Sequence, residues 1–131
     1  MARSSRMKAL IDSHVLLWAL LSPERLSGAA RSILEDPETT ILVSHASGWE
    51  LTIKSRRLGL DPIRRFLEEA MKDLAAMWLP IEISHIAAVA DLPPVHGDPF
   101  DRMLIAQAVC EGVPVVSGDR VFSRYPLSVI W

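Results

Sequence analysis

Asp12, Glu50, Asp101 and Asp119 stand where a strand gives way to a helix or a helix begins, each among apolar neighbours: ALIDSHVLLW, VSHASGWELTIK, HGDPFDRMLIAQA and PVVSGDRVF. A carboxylate beside a buried strand is costly unless positive charge compensates it. Four such acids, far apart in sequence, predict convergence on one divalent cation. Carboxylate oxygens and water are hard ligands that suit Mg²⁺ or Mn²⁺. Zinc would call for histidine or cysteine in ligand spacing, whereas His14, His45, His85 and His96 form no such pair and Cys110 is the single cysteine. A hard cation held by acids lowers the pKa of a bound water, orients it and stabilises charge on phosphate oxygens, which is the chemistry of phosphodiester hydrolysis.

These acids must be positioned by alternating strands and helices. Lys8–Ile11 reads as a short strand, 14–21 as a helix, and Pro23 separates it from an amphipathic helix near 27–35. Thr40–Val43 is β-rich and ends at Ser44, a good N-cap, from which a helix is expected to run to about Arg57 and stop at Gly59. Pro62 opens a helix whose stripe of Ile63, Phe66, Leu67, Ala70, Leu74 and Met77 predicts one packed face. Pro80, Ile81 and Ile83 suggest a third strand, with Ser84 capping the helix that follows. Asp98 reads as an N-cap, Pro99 as the first helical position, and Asp101 as a first-turn acid that complements the helix dipole. Met103, Leu104, Ala106, Ala108 and Val109 bury that helix and Gly112 ends it. Val113–Val116 is a fourth strand and Leu127–Trp131 an edge strand.

This alternation implies a parallel sheet with right-handed crossovers, covered by helices on both faces, and a functional crevice beyond the carboxyl ends of the strands. Asp12 directly follows the first strand, and Asp119 closely follows the fourth. Glu50 lies six residues past Ser44 and Asp101 lies in the first turn of its helix, so all four can meet. Each also has a plainer use. Asp12 could cap its helix, Glu50 could pair with Lys54 at i, i+4 on a solvated face, Asp101 could only complement the dipole, and Asp119 could be a turn residue. Asp98 fits capping, with reach to the site through water. The four tryptophans could stack bases, but at helical spacing among leucines they read as core, as does Cys110.

The chain has 131 residues, half of them apolar, enough for one domain with its own core. By size scaling it hides roughly two-thirds of the surface its unfolded form exposes. One cysteine excludes an intramolecular disulfide and fits a reducing compartment. Net charge −2 and pI near 6.1 give no general attraction to nucleic acid. No apolar run approaches the roughly 20 residues that span a bilayer, and MARSSRMKALID lacks an apolar signal core. The expectation is a soluble, cytoplasmic protein without a membrane partner. Residues 1–6 read as a disordered extension or vector-derived remnant, and 7–131 as a single domain.

The same residues carry a family resemblance. LIDSHVLLWAL, VSHASGWELTIKSRRLGL, LPPVHGDPFDRMLIAQA and VVSGDRVF resemble, in order, the four acidic motifs of PIN-domain proteins of the VapC type, the toxin ribonucleases of type II toxin–antitoxin pairs. DPFDR followed by LIAQA is the most specific part, and the similarity runs from about Met7 to Trp131. It implies a three-layer α/β/α sandwich with a central parallel sheet, Mg²⁺ or Mn²⁺ held by Asp12, Glu50, Asp101 and Asp119, and endonucleolytic cleavage of RNA. It further implies a VapB-type antitoxin that blocks the site, and a homodimer. Val121 stands where an acid is frequent two positions past the fourth aspartate, which implies weaker metal binding. Ser13 replaces a frequent threonine and keeps the hydroxyl, and Ser117 is placed to bind water of the metal shell. Lys54, Arg56, Arg57, Arg102 and Arg120 are candidates for phosphates flanking the scissile bond, or a solvated face. The rival readings are a non-catalytic PIN-fold module that binds RNA or protein, and another doubly wound enzyme. A phosphoaspartyl phosphatase would need a second aspartate where His14 stands, and a receiver domain would need paired acids before Asp12.

Overall fold

The structure is a computed structural model that describes residues 7–131; the extension expected over residues 1–6 lies outside the described residues. In chain order the elements are β1 (Met7–Ile11), α1 (Ser13–Leu21), a 3-10 turn (Pro23–Arg25), α2 (Gly28–Glu35), β2 (Thr39–Ser44), α3 (His45–Ile53), α4 (Ser55–Leu58), α5 (Ile63–Asp73), β3 (Met77–Leu79), α6 (Ile83–Ala90), α7 (Pro99–Glu111), β4 (Val115–Val116), a second 3-10 turn (Arg120–Arg124) and β5 (Val129–Ile130). All strand pairings are parallel and the sheet order is β3-β2-β1-β4-β5.

Side chains alternate across the sheet, so β1 feeds two cores. Ala9 and Ile11 join Ile41, Val43 and Val116 under α1, α2 and α5 on one face. Leu10 joins Leu42 and Val115 under α7 on the other. A strand buried on both faces must be apolar throughout, which is why ALI immediately precedes Asp12. Helices on both sides of the sheet make the three layers.

Register fixes the site. Ile11 pairs with Val43 on one side and with Val116 on the other. The residues that follow, Asp12, Ser44 and Ser117, therefore leave the sheet in one row at its carboxyl edge. After β1 the chain moves to β2 on one side, while β4 returns on the other, so the order reverses at β1. Such a reversal leaves a crevice between diverging crossovers, and Asp12 and Ser117 flank it.

Several expected boundaries move. The third strand is Met77–Leu79, paired with Leu42–Ser44, not Pro80–Ile83; Pro80 has no N–H for a ladder, so it follows the strand, and Ile83 begins α6. Met77 thus belongs to β3 and not to the stripe of α5. Glu82 is the N-cap of α6, its backbone N–H donating to His85 Nδ1 at 3.0 Å, so Ser84 is not the cap. The helix from Ser44 breaks at Lys54 into α3 and α4 before Gly59 closes it in the left-handed region. Strands β4 and β5 are shorter than expected, two residues each. Cys110 is exposed, as is Val109, because the buried stripe of α7 is Leu104, Ile105 and Ala108. No helix among the described residues is long and apolar enough to cross a membrane.

Candidate active site

Asp12 is 5% exposed. Its backbone N–H donates to the Val116 carbonyl at 3.2 Å, which ties the first acid to the end of β4. Oδ1 accepts the Val15 N–H at 2.8 Å, so Asp12 does cap α1. Oδ2 accepts the Ser117 hydroxyl. Capping and site-building use different oxygens and coexist. No lysine or arginine among the described residues forms an ion pair with this carboxylate. Burial pushes its pKa up, opposed by the Ser117 and Val15 hydrogen bonds and by His14, and assisted by repulsion from Asp119.

Ser117 also accepts the Asp119 N–H at 3.0 Å, so one buried hydroxyl links the first and fourth acids. Asp119 itself is exposed, and its Oδ1 accepts the Val121 N–H at 3.0 Å at the start of the second 3-10 turn. Glu50, 5% exposed, accepts the Ser13 hydroxyl at 2.8 Å through Oε1 and the Lys54 ammonium at 2.8 Å through Oε2. The i, i+4 pair exists, but on the interior side of α3 rather than on a solvated face. Lys54 is thereby directed at Glu50.

Asp98 caps α7 as expected, its Oδ1 accepting the N–H groups of Phe100 at 2.8 Å and Asp101 at 3.1 Å. Asp101 meets His96, Oδ2 to Nε2 at 2.9 Å. Its pKa is pushed up to about 6: burial dominates and Asp98 and Glu50 add repulsion, against the His96 hydrogen bond and charge. His96 is a functional candidate that the search for histidine pairs passed over. Its signal was the spacing VHGDPFD, in which the chain turns at Gly97 and Pro99 and returns the imidazole to the first turn of α7.

His96, Asp98 and Asp101 are the described residues whose ligand atoms converge as a set, within 4.8 Å of one another. Asp12, Glu50 and Asp119 do not join that set directly. They form links of their own: Asp12 with Asp119 through Ser117, and Glu50 close enough to Asp101 to help raise its pKa. Of the five carboxylates, Glu50 meets Lys54 and Asp101 meets His96, while Asp12, Asp98 and Asp119 are in no ion pair with a lysine or arginine among the described residues. Hard oxygen donors with excess negative charge and raised pKa values fit a divalent cation.

Arg102 is a correction. Its guanidinium donates to the carbonyls of Val89 (3.0 Å), Pro93 (3.0 Å) and His96 (3.4 Å) and to the Tyr125 hydroxyl (3.3 Å). A planar fork satisfied by backbone acceptors fastens the 93–96 loop to α7 and is not directed at a substrate. Arg56, Arg57 and Arg120 are exposed. The tryptophans depart from the core reading too. Trp49 is 63% exposed and Trp131 40%, and each flanks the acids. Trp49 stands edge-on to Phe100 with ring centroids 5.3 Å apart.

Residues 9–127 match the PIN domain family. The chain belongs to the PIN-domain family. Over 128 residues this PIN domain is 31% identical to ribonuclease VapC22 of Mycobacterium tuberculosis, covering 93% of this chain and 97% of that protein. Its fold is that of VapBC2 from Rickettsia felis, solved bound to a DNA fragment from the promoter, with TM-score 0.73 at 12% identity over 94% of this chain and 97% of that one. FitAcB from Neisseria gonorrhoeae matches with TM-score 0.64 at 20% identity, over 92% of this chain and 95% of that chain. The three-layer fold expected from the sequence is therefore shared with solved relatives.

Proposed function

We propose that this PIN domain is an endoribonuclease that uses Mg²⁺ or Mn²⁺ to hydrolyse RNA phosphodiester bonds, and that it is the toxin of a type II toxin–antitoxin pair acting in the cytoplasm. The observation that carries the reading is Asp12: a buried carboxylate with raised pKa in the switch-point crevice, linked through Ser117 to Asp119 and in no ion pair with a lysine or arginine among the described residues. Capping α1 occupies Oδ1 alone. Oδ2 meets only a neutral hydroxyl, which leaves its charge open to a cation. The 31% identity to a VapC ribonuclease over nearly the whole chain supports RNA as substrate and a VapB-type antitoxin as partner, with homodimerisation expected on the same basis.

In the mechanism, Asp12, Asp101 and Asp119 would hold the cation, with Glu50 contributing directly or through water. When bound, Mg²⁺ or Mn²⁺ would supply an acidified water and neutralise charge on the phosphate oxygens. Ser117 fixes the rotamer of Asp12 and the backbone of Asp119 together, Ser13 aims Glu50, and Asp98 holds the first turn of α7 so that Asp101 faces the crevice. His96 meets Asp101 through Nε2 and orients its carboxylate. Arg56, Arg57 and Arg120 are the exposed cations that would meet flanking phosphates.

The test is incubation of the purified protein with structured and single-stranded RNAs in Mg²⁺, Mn²⁺ or EDTA, beside Asp12→Asn. Cleavage that needs the metal and is lost in the mutant supports the nuclease. Metal binding without cleavage of any RNA, in protein freed of antitoxin, would favour the non-catalytic module.

A further inference from the structure

Beside Asp12 and Asp119 lies an open cavity of about 550 Å³, walled by His14, Trp18, Arg25, Gly118 and Trp131. We propose that it is a nucleobase subsite: an unpaired base of the RNA stacks on Trp131 and places its own phosphate over the acids. The inference rests on the nuclease reading above and specifies how that site grips its substrate.

Three observations carry it. The cavity is an aromatic enclosure, with the Trp18 and Trp131 centroids 6.0 Å apart and tilted by 54°, and His14 5.7 Å from Trp18. Its volume lies in the range of small-molecule pockets, and its floor is the pair of acids. The second observation is Gly118. Its φ is not left-handed, so no backbone conformation demands glycine there. A Cβ at that position would lie 2.8 Å from Trp131 Cε2 and 3.0 Å from Cζ2. The missing side chain instead lets the indole settle on the loop that carries Asp119, where it keeps 40% of its surface exposed. A large aromatic group seated so closely on a candidate ligand loop, yet left in solvent, is placed for a flat partner.

The third observation concerns which ring is free. The Arg25 guanidinium lies over Trp18, 4.6 Å from the ring centroid. That cation occupies the face of Trp18 and leaves Trp131 as the open aromatic surface of the cavity. Once a divalent cation offsets Asp12 and Asp119, Arg25 gives the phosphate of a stacked nucleotide a favourable partner in the same wall.

The experiment measures kcat/KM on a single-stranded ribo-oligonucleotide that the wild type cuts in Mn²⁺, and on the same oligonucleotide made abasic at one nucleotide flanking the cut bond, each flank in turn. Loss of a stacked base is expected to cost about tenfold or more. Trp131→Ala should lose that factor on the intact RNA, mostly in KM, and lose nothing further on the abasic RNA, a non-additivity that marks direct contact. Trp131→Phe should restore most of the activity. Gly118→Ala should mimic Trp131→Ala by lifting the indole. Mn²⁺ affinity in Trp131→Ala should equal that of the wild type, which excludes damage to the acids. Equal kcat/KM for Trp131→Ala and wild type, with Asp101→Asn inactive, would overturn the base subsite and leave the nuclease reading standing. Unchanged RNA cleavage with lost inhibition by the co-encoded antitoxin would assign the cavity to protein and overturn it likewise. No metal-dependent cleavage by the wild type would overturn both.

Discussion

Asp12 and Glu50 are each 5% exposed and are aimed by the hydroxyls of Ser117 and Ser13, whereas Asp101 keeps 22% of its side chain in solvent and meets an imidazole. The inner pair is fixed by neutral donors that set geometry, although Lys54 also meets Glu50. The outer group, Asp98, Asp101 and His96, carries its own titratable cation. Neutral donors orient a carboxylate without satisfying its charge, so the buried half retains its demand for an external cation. One proton on Asp101 removes half of the charge of the two outer carboxylates. On the proposed reading, the division makes Asp12 the buried anchor for a cation and Asp101 the more accessible of the two acids whose pKa values are raised.

The largest break in this comparison is Asp12→Asn. Cleavage should fall by more than about a thousandfold, or about 4 kcal/mol of transition-state stabilisation, with near-wild-type circular dichroism. Equal activity in this variant would remove the inner half from the chemistry.

Ser117→Ala comes next. It strips the hydroxyl that links Asp12 to Asp119 and should weaken Mn²⁺ binding about 10- to 100-fold, the usual scale for an orienting partner. Calorimetric titration of Mn²⁺ measures it. An unchanged affinity would mean that Asp12 needs no such guide.

The outer half is probed by pH. For Asp101 the folded pKa of about 6 exceeds the ordinary value of 3.8, so between those values the folded state binds more protons than the unfolded one. Stability of the metal-free protein must then fall as pH rises from about 4 to about 6, by on the order of 3 kcal/mol from this group. Asp101→Asn should flatten that slope in melts made in EDTA. His96→Ala removes a bond that lowers the Asp101 pKa, so the pH at which cleavage reaches half its plateau should move upward, and a profile identical to wild type would exclude the imidazole from the site.

The smallest contrast is between two arginines that each follow an acidic residue of the candidate site. Arg102→Ala should destabilise the fold by about 1–3 kcal/mol through its orphaned acceptors, and Arg102→Lys should not restore it. Arg120→Ala should leave the melting temperature unchanged and reduce RNA affinity a few-fold at low salt.

How much of this was legible beforehand depended on the range of the interactions involved. The apolar run before Asp12, the Ser44 and Asp98 caps, Pro99 and Gly112 are local signals, and the structure bears each of them out. Asp12, Asp101 and Asp119 were visible for the same reason, each tied to a strand end or a first helical turn, whereas Glu50 lies in the second turn of α3. The third strand was misplaced because its identity comes from pairing with Leu42–Ser44, a long-range contact that outweighs the apolar look of Ile81 and Ile83. His96 was missed because its partner is a carboxylate across a turn and not another histidine. Arg102 and Trp131 were misread because exposure and hydrogen-bond commitment are properties of the assembled loops. Neither is encoded within a few residues of the position itself.

The most direct test of the central claim is the melting temperature of the wild type and Asp12→Asn with and without Mn²⁺. In EDTA the variant should melt higher than the wild type, because an uncompensated buried charge has been removed. Adding Mn²⁺ at about 100 times its dissociation constant should raise the wild type by the equivalent of about 2.7 kcal/mol and leave the variant nearly unmoved. A wild type that melts above Asp12→Asn in EDTA and gains nothing from Mn²⁺ would contradict the account, because Asp12 would then be a structural cap and not the seat of a cation site.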